Sequence, residues 1–122
     1  MEAQEKDKIN AEVFDPSAFE SLSEFLGEDY FEYLQQYIDS TRDLINEITE
    51  AAAAGNIKSV IEMCHKIKGA GSNLGISSLT AQCQYIEESL KKNVDIDLNK
   101  ELVKIKELYD VMEKEIRCLL HS

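Results

Sequence analysis

Apolar residues in this chain recur at steps of three and four, the spacing that gathers side chains on one side of an α-helix. Phe19, Leu22 and Leu26 open the pattern behind Asp15-Pro16, where an acceptor side chain precedes a residue suited to the first helical position. A short first helix is therefore predicted, ending at Gly27. From about Glu28 a longer seam runs through Phe31, Leu34, Ile38, Thr41, Ile45, Ile48 and Ala52 to an alanine run and Gly55. Asn56 is placed to cap a third helix, whose seam reads Ile57, Val60, Cys64, Ile67, Gly71, Leu74. A fourth carries Leu79, Cys83, Ile86 and Leu90 and ends near Asn93. The fifth follows Asp95-Ile-Asp and has the cleanest seam: Leu98, Leu102, Ile105, Tyr109, Met112, Ile116 and Leu119.

No segment alternates with period two, so the expected fold is all-α. Four long seams joined by short connections imply antiparallel neighbours, hence an up-and-down antiparallel four-helix bundle with a short additional N-terminal helix. Residues 1–13 are polar without a sustained period and read as a flexible tail, leaving 14–122 as the bundle.

Composition narrows the function. The 122 residues hold 24 acidic and 13 basic side chains, a formal charge of −11, which excludes gripping nucleic acid or an anionic membrane through bulk charge. No apolar run approaches the ~20 residues that cross a bilayer. Cys64, Cys83 and Cys118 are odd in number and form no C-x-x-C, and the charged N-terminus lacks the apolar stretch of a signal peptide, so a reduced, cytoplasmic compartment is expected. His65 and His121 are far apart and the cysteines lack ligand spacing, so no metal site is expected. His121 falls in a tail and is read as inert.

Three of the five glycines, Gly69, Gly71 and Gly75, fall within seven residues of the third helix. Each costs up to ~1 kcal/mol relative to alanine there. Their spacing is wrong for a dinucleotide fingerprint or a P-loop, and no strand precedes them. The seam passes through them without a phase slip, so they mark close approach of other surfaces. His65 lies roughly 130° from the seam centre and should project from the bundle's side. Ile61, Gly69 and Ser72 share that side, with Lys68 and Glu62 flanking it. Between Asn56 and Ser77 the net charge is +2, against −13 for the rest, so this face is the basic exception.

The run from Cys64 to Glu87 resembles the histidine-containing phosphotransfer (HPt) domain family. That family's pattern is a histidine, Lys-Gly three and four residues on, a small residue at plus seven, glycine at plus ten, leucine at plus fourteen and often cysteine at plus eighteen. Here these positions hold His65, Lys68, Gly69, Ser72, Gly75, Leu79 and Cys83. Met63 and Cys64 stand where alanine is common, and Gly71 is an additional glycine.

The resemblance implies that His65 accepts a phosphoryl group from the phospho-aspartate of a response-regulator receiver domain and passes it to another receiver, in a phosphorelay fed by a sensor or hybrid histidine kinase. Lys68 would stabilise the transferring charge, Gly69 would give the partner clearance, and Ser72 would offer a hydrogen bond. No cofactor is implied for the chain itself; Mg2+ belongs to the partner receiver. Glu62, one turn before His65, is a candidate holder of the other ring nitrogen or a plain solvated carboxylate. Ile61, Glu62 and Lys66 are candidate docking residues, and Ile61 reads equally as a boundary residue. Gly71, Gly75, Leu79 and Cys83 are structural positions of the motif.

A histidine kinase acting alone is excluded, because 122 residues leave no room for an ATP-binding domain beside the bundle. A non-catalytic helical adaptor remains the alternative, although it needs no glycine beside Lys68. A coiled-coil dimer through residues 98–119 is the other rival, and a monomer is expected if that seam is used internally. Met1 with its polar tail favours a free-standing carrier over the end of a hybrid kinase.

Overall fold

The computed structural model describes residues 13–120, with side chains to residue 118. Residues 1–12 of the expected tail, the Leu119 side chain and His121 lie outside the described residues. Five helices follow in order: α1 (Pro16–Leu26), α2 (Glu28–Ala53), α3 (Ile57–Leu74), α4 (Ser78–Lys91) and α5 (Leu98–Leu120). Helices α2 to α5 form the bundle, with α3 packed between α2 and α4, α5 closing the ring against α4 and α2, and α1 laid on α2 and α3.

The helix starts follow from their capping side chains. Asp15 accepts from the backbone N–H of Ser17 at 3.0 Å and of Ala18 at 3.3 Å, Asn56 from Ser59 at 3.2 Å, and Asp97 from Lys100 at 3.2 Å. Each satisfies a donor that the first turn leaves free. The core is the set of seams: Leu34, Ile38, Ile48, Val60, Ile67, Leu79, Ile86, Ile105, Met112 and Ile116 are fully buried. Tyr30 and Tyr37 join them inside α2, where the periodic reading carried neither. Their rings are apolar enough to bury, and the Tyr30 hydroxyl donates to the Leu74 carbonyl at 2.7 Å, pairing an acceptor that the end of α3 leaves open.

Three boundaries differ from the sequence reading. Val13, expected in the tail, is buried: its carbonyl accepts from Ser77 N–H at 2.7 Å, and an isolated antiparallel bridge joins Phe14 to Ile76. Two apolar residues, Val13 and Phe14, suffice to pin this strap over the turn after α3. Ile57, read as the first seam position of α3, is 39% exposed. Gly75 is not inside α3 but ends it in the left-handed region at φ 78, and its N–H approaches the last-turn carbonyls of α3.

Gly71 and Gly75 both mark close approach, though of different kinds. A Cβ on Gly71 would collide with the Thr80 hydroxyl and come within 2.9 Å of the Tyr37 hydroxyl, so α2 and α4 reach the α3 backbone here. At Gly75 it would stand 3.2 Å from Ala18 Cβ on α1. Gly69 has no such neighbour within 4 Å. Gly71→Ala should therefore lower stability by ~1–3 kcal/mol through overpacking. Gly69→Ala should leave it unchanged or raise it by up to ~1 kcal/mol through helix propensity. Urea denaturation of the two variants checks the contrast, and equal midpoints would contradict it.

Candidate functional site

His65 stands in the third turn of α3, on the side away from the seam, with its side chain 63% exposed. Beneath it, α4 contributes a residue absent from the list of candidates. Glu87 is 2% exposed, and its Oε2 lies 2.9 Å from His65 Nδ1. Lys91, one turn further along α4, donates to the same oxygen at 2.7 Å. Lys68, one turn beyond His65 on α3, brings its Nζ to 3.0 Å from Oε1. That approach is an ion pair rather than a directed hydrogen bond, so Oε1 keeps unpaired acceptor capacity.

Competing effects set the ionisation of Glu87. Burial pushes its carboxyl pKa up, but the contacts with Lys91, Lys68 and His65, together with the Lys68 charge, outweigh burial and hold the pKa at about 2. Glu87 is therefore a carboxylate at neutral pH, and a carboxylate only accepts hydrogen bonds. His65 Nδ1 must then carry the proton. In the neutral ring this leaves Nε2 with its lone pair free and turned toward solvent. Such an arrangement presents one defined nucleophilic nitrogen, with two ammonium groups nearby.

Glu62 was the sequence candidate for holding the ring, and the structure gives that contact to Glu87 instead. Glu62 is exposed and lines a groove beside His65. Glu87 escaped notice because its partners His65 and Lys68 lie on another helix, a proximity that spacing within α4 does not reveal. The available signal was its place in the apolar strip of α4, directly after Ile86 and four residues after Cys83.

The remaining candidates fall as follows. Lys68 is part of the cluster. Gly69 faces open space, and Ser72 is exposed about 10 Å along the helix from His65, beyond contact with the imidazole. Ile61 is half-buried, and it shares the groove with exposed Lys66. Leu79 and Cys83 are buried. Cys64 and Cys83 meet in the core below His65, where the neighbouring Cys64 thiol, then burial, push the Cys83 thiol pKa far up. These thiols are packing groups, not nucleophiles. Among the described residues no group of three or more His, Cys, Asp or Glu side chains could hold a metal ion, and no helix is long and apolar enough to cross a membrane.

Comparison with known proteins points to one family. A family model described as "Hpt domain" matches residues 32–117. The signal transduction histidine-protein kinase BarA of Shigella flexneri is 26% identical over 88 residues, which cover 71% of this chain but 10% of BarA. The chain thus corresponds to about a tenth of that relative's length. Among solved structures, the histidine-containing phosphotransfer protein B (HptB) of Pseudomonas aeruginosa PAO1 superposes with a TM-score of 0.66 at 25% identity, covering 89% of each chain.

The depressed Glu87 pKa has a consequence for stability. Its contribution is complete above about pH 5 and is lost as the pH falls toward the folded-state value. Over that window the unfolding free energy should fall further in the wild type than in Glu87→Gln, by at most ~3 kcal/mol. Urea denaturation at stepped pH measures the difference. Parallel profiles would mean that the buried charge is not stabilised.

Proposed function

The chain belongs to the Hpt domain family, whose function is of the phosphotransfer type in phosphorelays, and from that premise we propose that His65 is its phosphoryl-accepting residue. The donor is the phospho-aspartate of a response-regulator receiver domain, and the acceptor is the aspartate of another receiver. In the first step the Nε2 lone pair attacks phosphorus, the N–P bond forms, and the acyl-phosphate P–O bond breaks to leave the donor's carboxylate. The second step is the reverse reaction on the next aspartate. Glu87 keeps Nδ1 protonated throughout, so no base is needed to free the nucleophile.

One observation carries this reading: an exposed imidazole is held through Nδ1 by a buried carboxylate that also tethers two lysines. Phosphoryl transfer depends mainly on positioning and on stabilising the charge of the transferring group. Lys68 and Lys91 supply that charge from the two ends of Glu87. Gly69 leaves the partner room above the ring, and Ser72 reaches a partner lying over Gly69. Ile61, Glu62 and Lys66 belong to the docking surface. Mg2+ would belong to the receiver's acidic pocket, where it would neutralise charge on the phosphoryl oxygens. A sensor or hybrid kinase feeds the relay, and the chain works as a cytoplasmic monomer. A plain adaptor would have no use for a charge buried under a surface histidine.

The test is incubation with a phosphorylated receiver and Mg2+, followed by assay for acid-labile, base-stable phosphate on this chain. Wild type should gain it and His65→Gln should not. Lys68→Ala should transfer roughly 10- to 100-fold more slowly, the scale of losing one preorganised charge-stabilising group, with its helical circular dichroism intact. Labelling of His65→Gln would overturn the assignment. A Lys68→Ala variant that loses helicity would mark that lysine as structural.

A further inference from the structure

Transfer onto His65 moves no proton, because Nε2 attacks with its lone pair while Nδ1 holds the ring's one N–H. Transfer off His65 is where a proton sets the rate. Once Nε2 is bonded to phosphorus, the ring is positively charged while Nδ1 keeps its proton and neutral when it does not. From the charged ring the departing group is neutral imidazole, and from the neutral ring it is the far more basic imidazolate. An imidazole in open solvent gives up that extra proton as the pH rises past about 6.5. Here Nδ1 faces Glu87 Oε2 at 2.9 Å, and the Glu87 side chain is 2% exposed although that of His65 is 63% exposed.

We propose that Glu87 holds the Nδ1 proton on phosphorylated His65, so that the phosphoryl group leaves from the charged ring and its discharge is insensitive to alkaline pH. The inference rests on the phosphotransfer reading and deepens it by assigning how the group is released. In that step the N–P bond breaks and its electron pair stays on Nε2. The phosphoryl group passes to an aspartate carboxylate, or to water to give dihydrogen phosphate, and His65 is left neutral with its proton on Nδ1. Glu87 does not take the proton; like the buried carboxylate of a catalytic triad, it orients the ring and stabilises its charge. Two lysines keep it in that role: Lys91 donates to Oε2 at 2.7 Å and Lys68 Nζ stands 3.0 Å from Oε1. The other charged side chains beside the ring, Lys66 and Glu62 on α3 and Glu47 on α2, line the adjoining groove, and the Cys64 and Cys83 thiols are buried beneath. Among the described residues only Glu87 hydrogen-bonds to Nδ1.

Phosphoramidate, a donor too small to need docking, should load His65 in the isolated protein with ammonia as the displaced group. Release of inorganic phosphate is then followed between pH 6 and pH 9, with the chain folded and in concentrated urea. The folded wild type should vary by less than about threefold, whereas the unfolded chain should slow by about tenfold per pH unit above about pH 7 as the proton leaves the ring. Glu87→Gln, with its circular dichroism intact, should follow the unfolded profile, and at pH 8.5 its phosphohistidine should outlive the wild type's by roughly tenfold or more. A wild-type rate that falls with pH as steeply folded as unfolded overturns the proposal and leaves the His65 assignment standing, whether or not Glu87→Gln folds. A flat profile shared by wild type and folded Glu87→Gln overturns it too, because another group then holds the proton. If the loaded wild type discharges with the flat profile but exchanges phosphate with no receiver, the release chemistry stands and the phosphotransfer reading falls. Failure of phosphoramidate to load His65 overturns both.

Discussion

A carboxylate almost sealed from solvent lies under a histidine that is mostly open to it, and the contact between them joins α3 to α4 at 2.9 Å. An unpaired buried charge is costly, so Glu87 is tolerable only because cations reach it. Lys91 comes from its own helix, Lys68 and His65 from the next. The same contacts that make the burial affordable fix the ring, choose its tautomer and gather positive charge around it. Packing of α3 on α4 is therefore the condition for the chemistry. Gly71 is part of that condition, since it lets the Thr80 and Tyr37 side chains close on the α3 backbone.

The three clustered glycines differ in what surrounds them. Gly71 admits neighbouring helices and Gly75 turns the chain out of α3 against α1. Gly69 does neither, facing open space beside Lys68. A residue with no packing or conformational reason to be glycine, one turn from the exposed His65 ring, fits the clearance proposed for a partner. Stability alone would favour alanine there.

The helices were legible because their apolar seams repeat over many turns and their caps are chemically plain, as at Asp15 and Asn56. His65, Lys68 and Gly69 were legible as one helix face, which depends only on local periodicity. Glu87 was not, because its partners lie on another helix and spacing within α4 explains it equally well as half of a surface pair. Val13 was missed for a similar reason: two apolar residues carry no period, and their burial depends on the turn they cover. Gly75 was misplaced by continuing a seam one residue past the point where the backbone turns left-handed. Local pattern thus recovered the helices and the exposed face that carries His65, while contacts between helices decided what holds its ring in place.

In the proposed function Glu87 reserves one nitrogen of His65 for phosphoryl transfer. Phosphorus-31 and nitrogen-15 NMR of the phosphorylated, isotopically labelled protein tests it most directly. The geometry predicts a phosphoryl group coupled to Nε2 of His65 with a proton retained on Nδ1. Phosphate on Nδ1, or on any residue other than His65, would contradict the account.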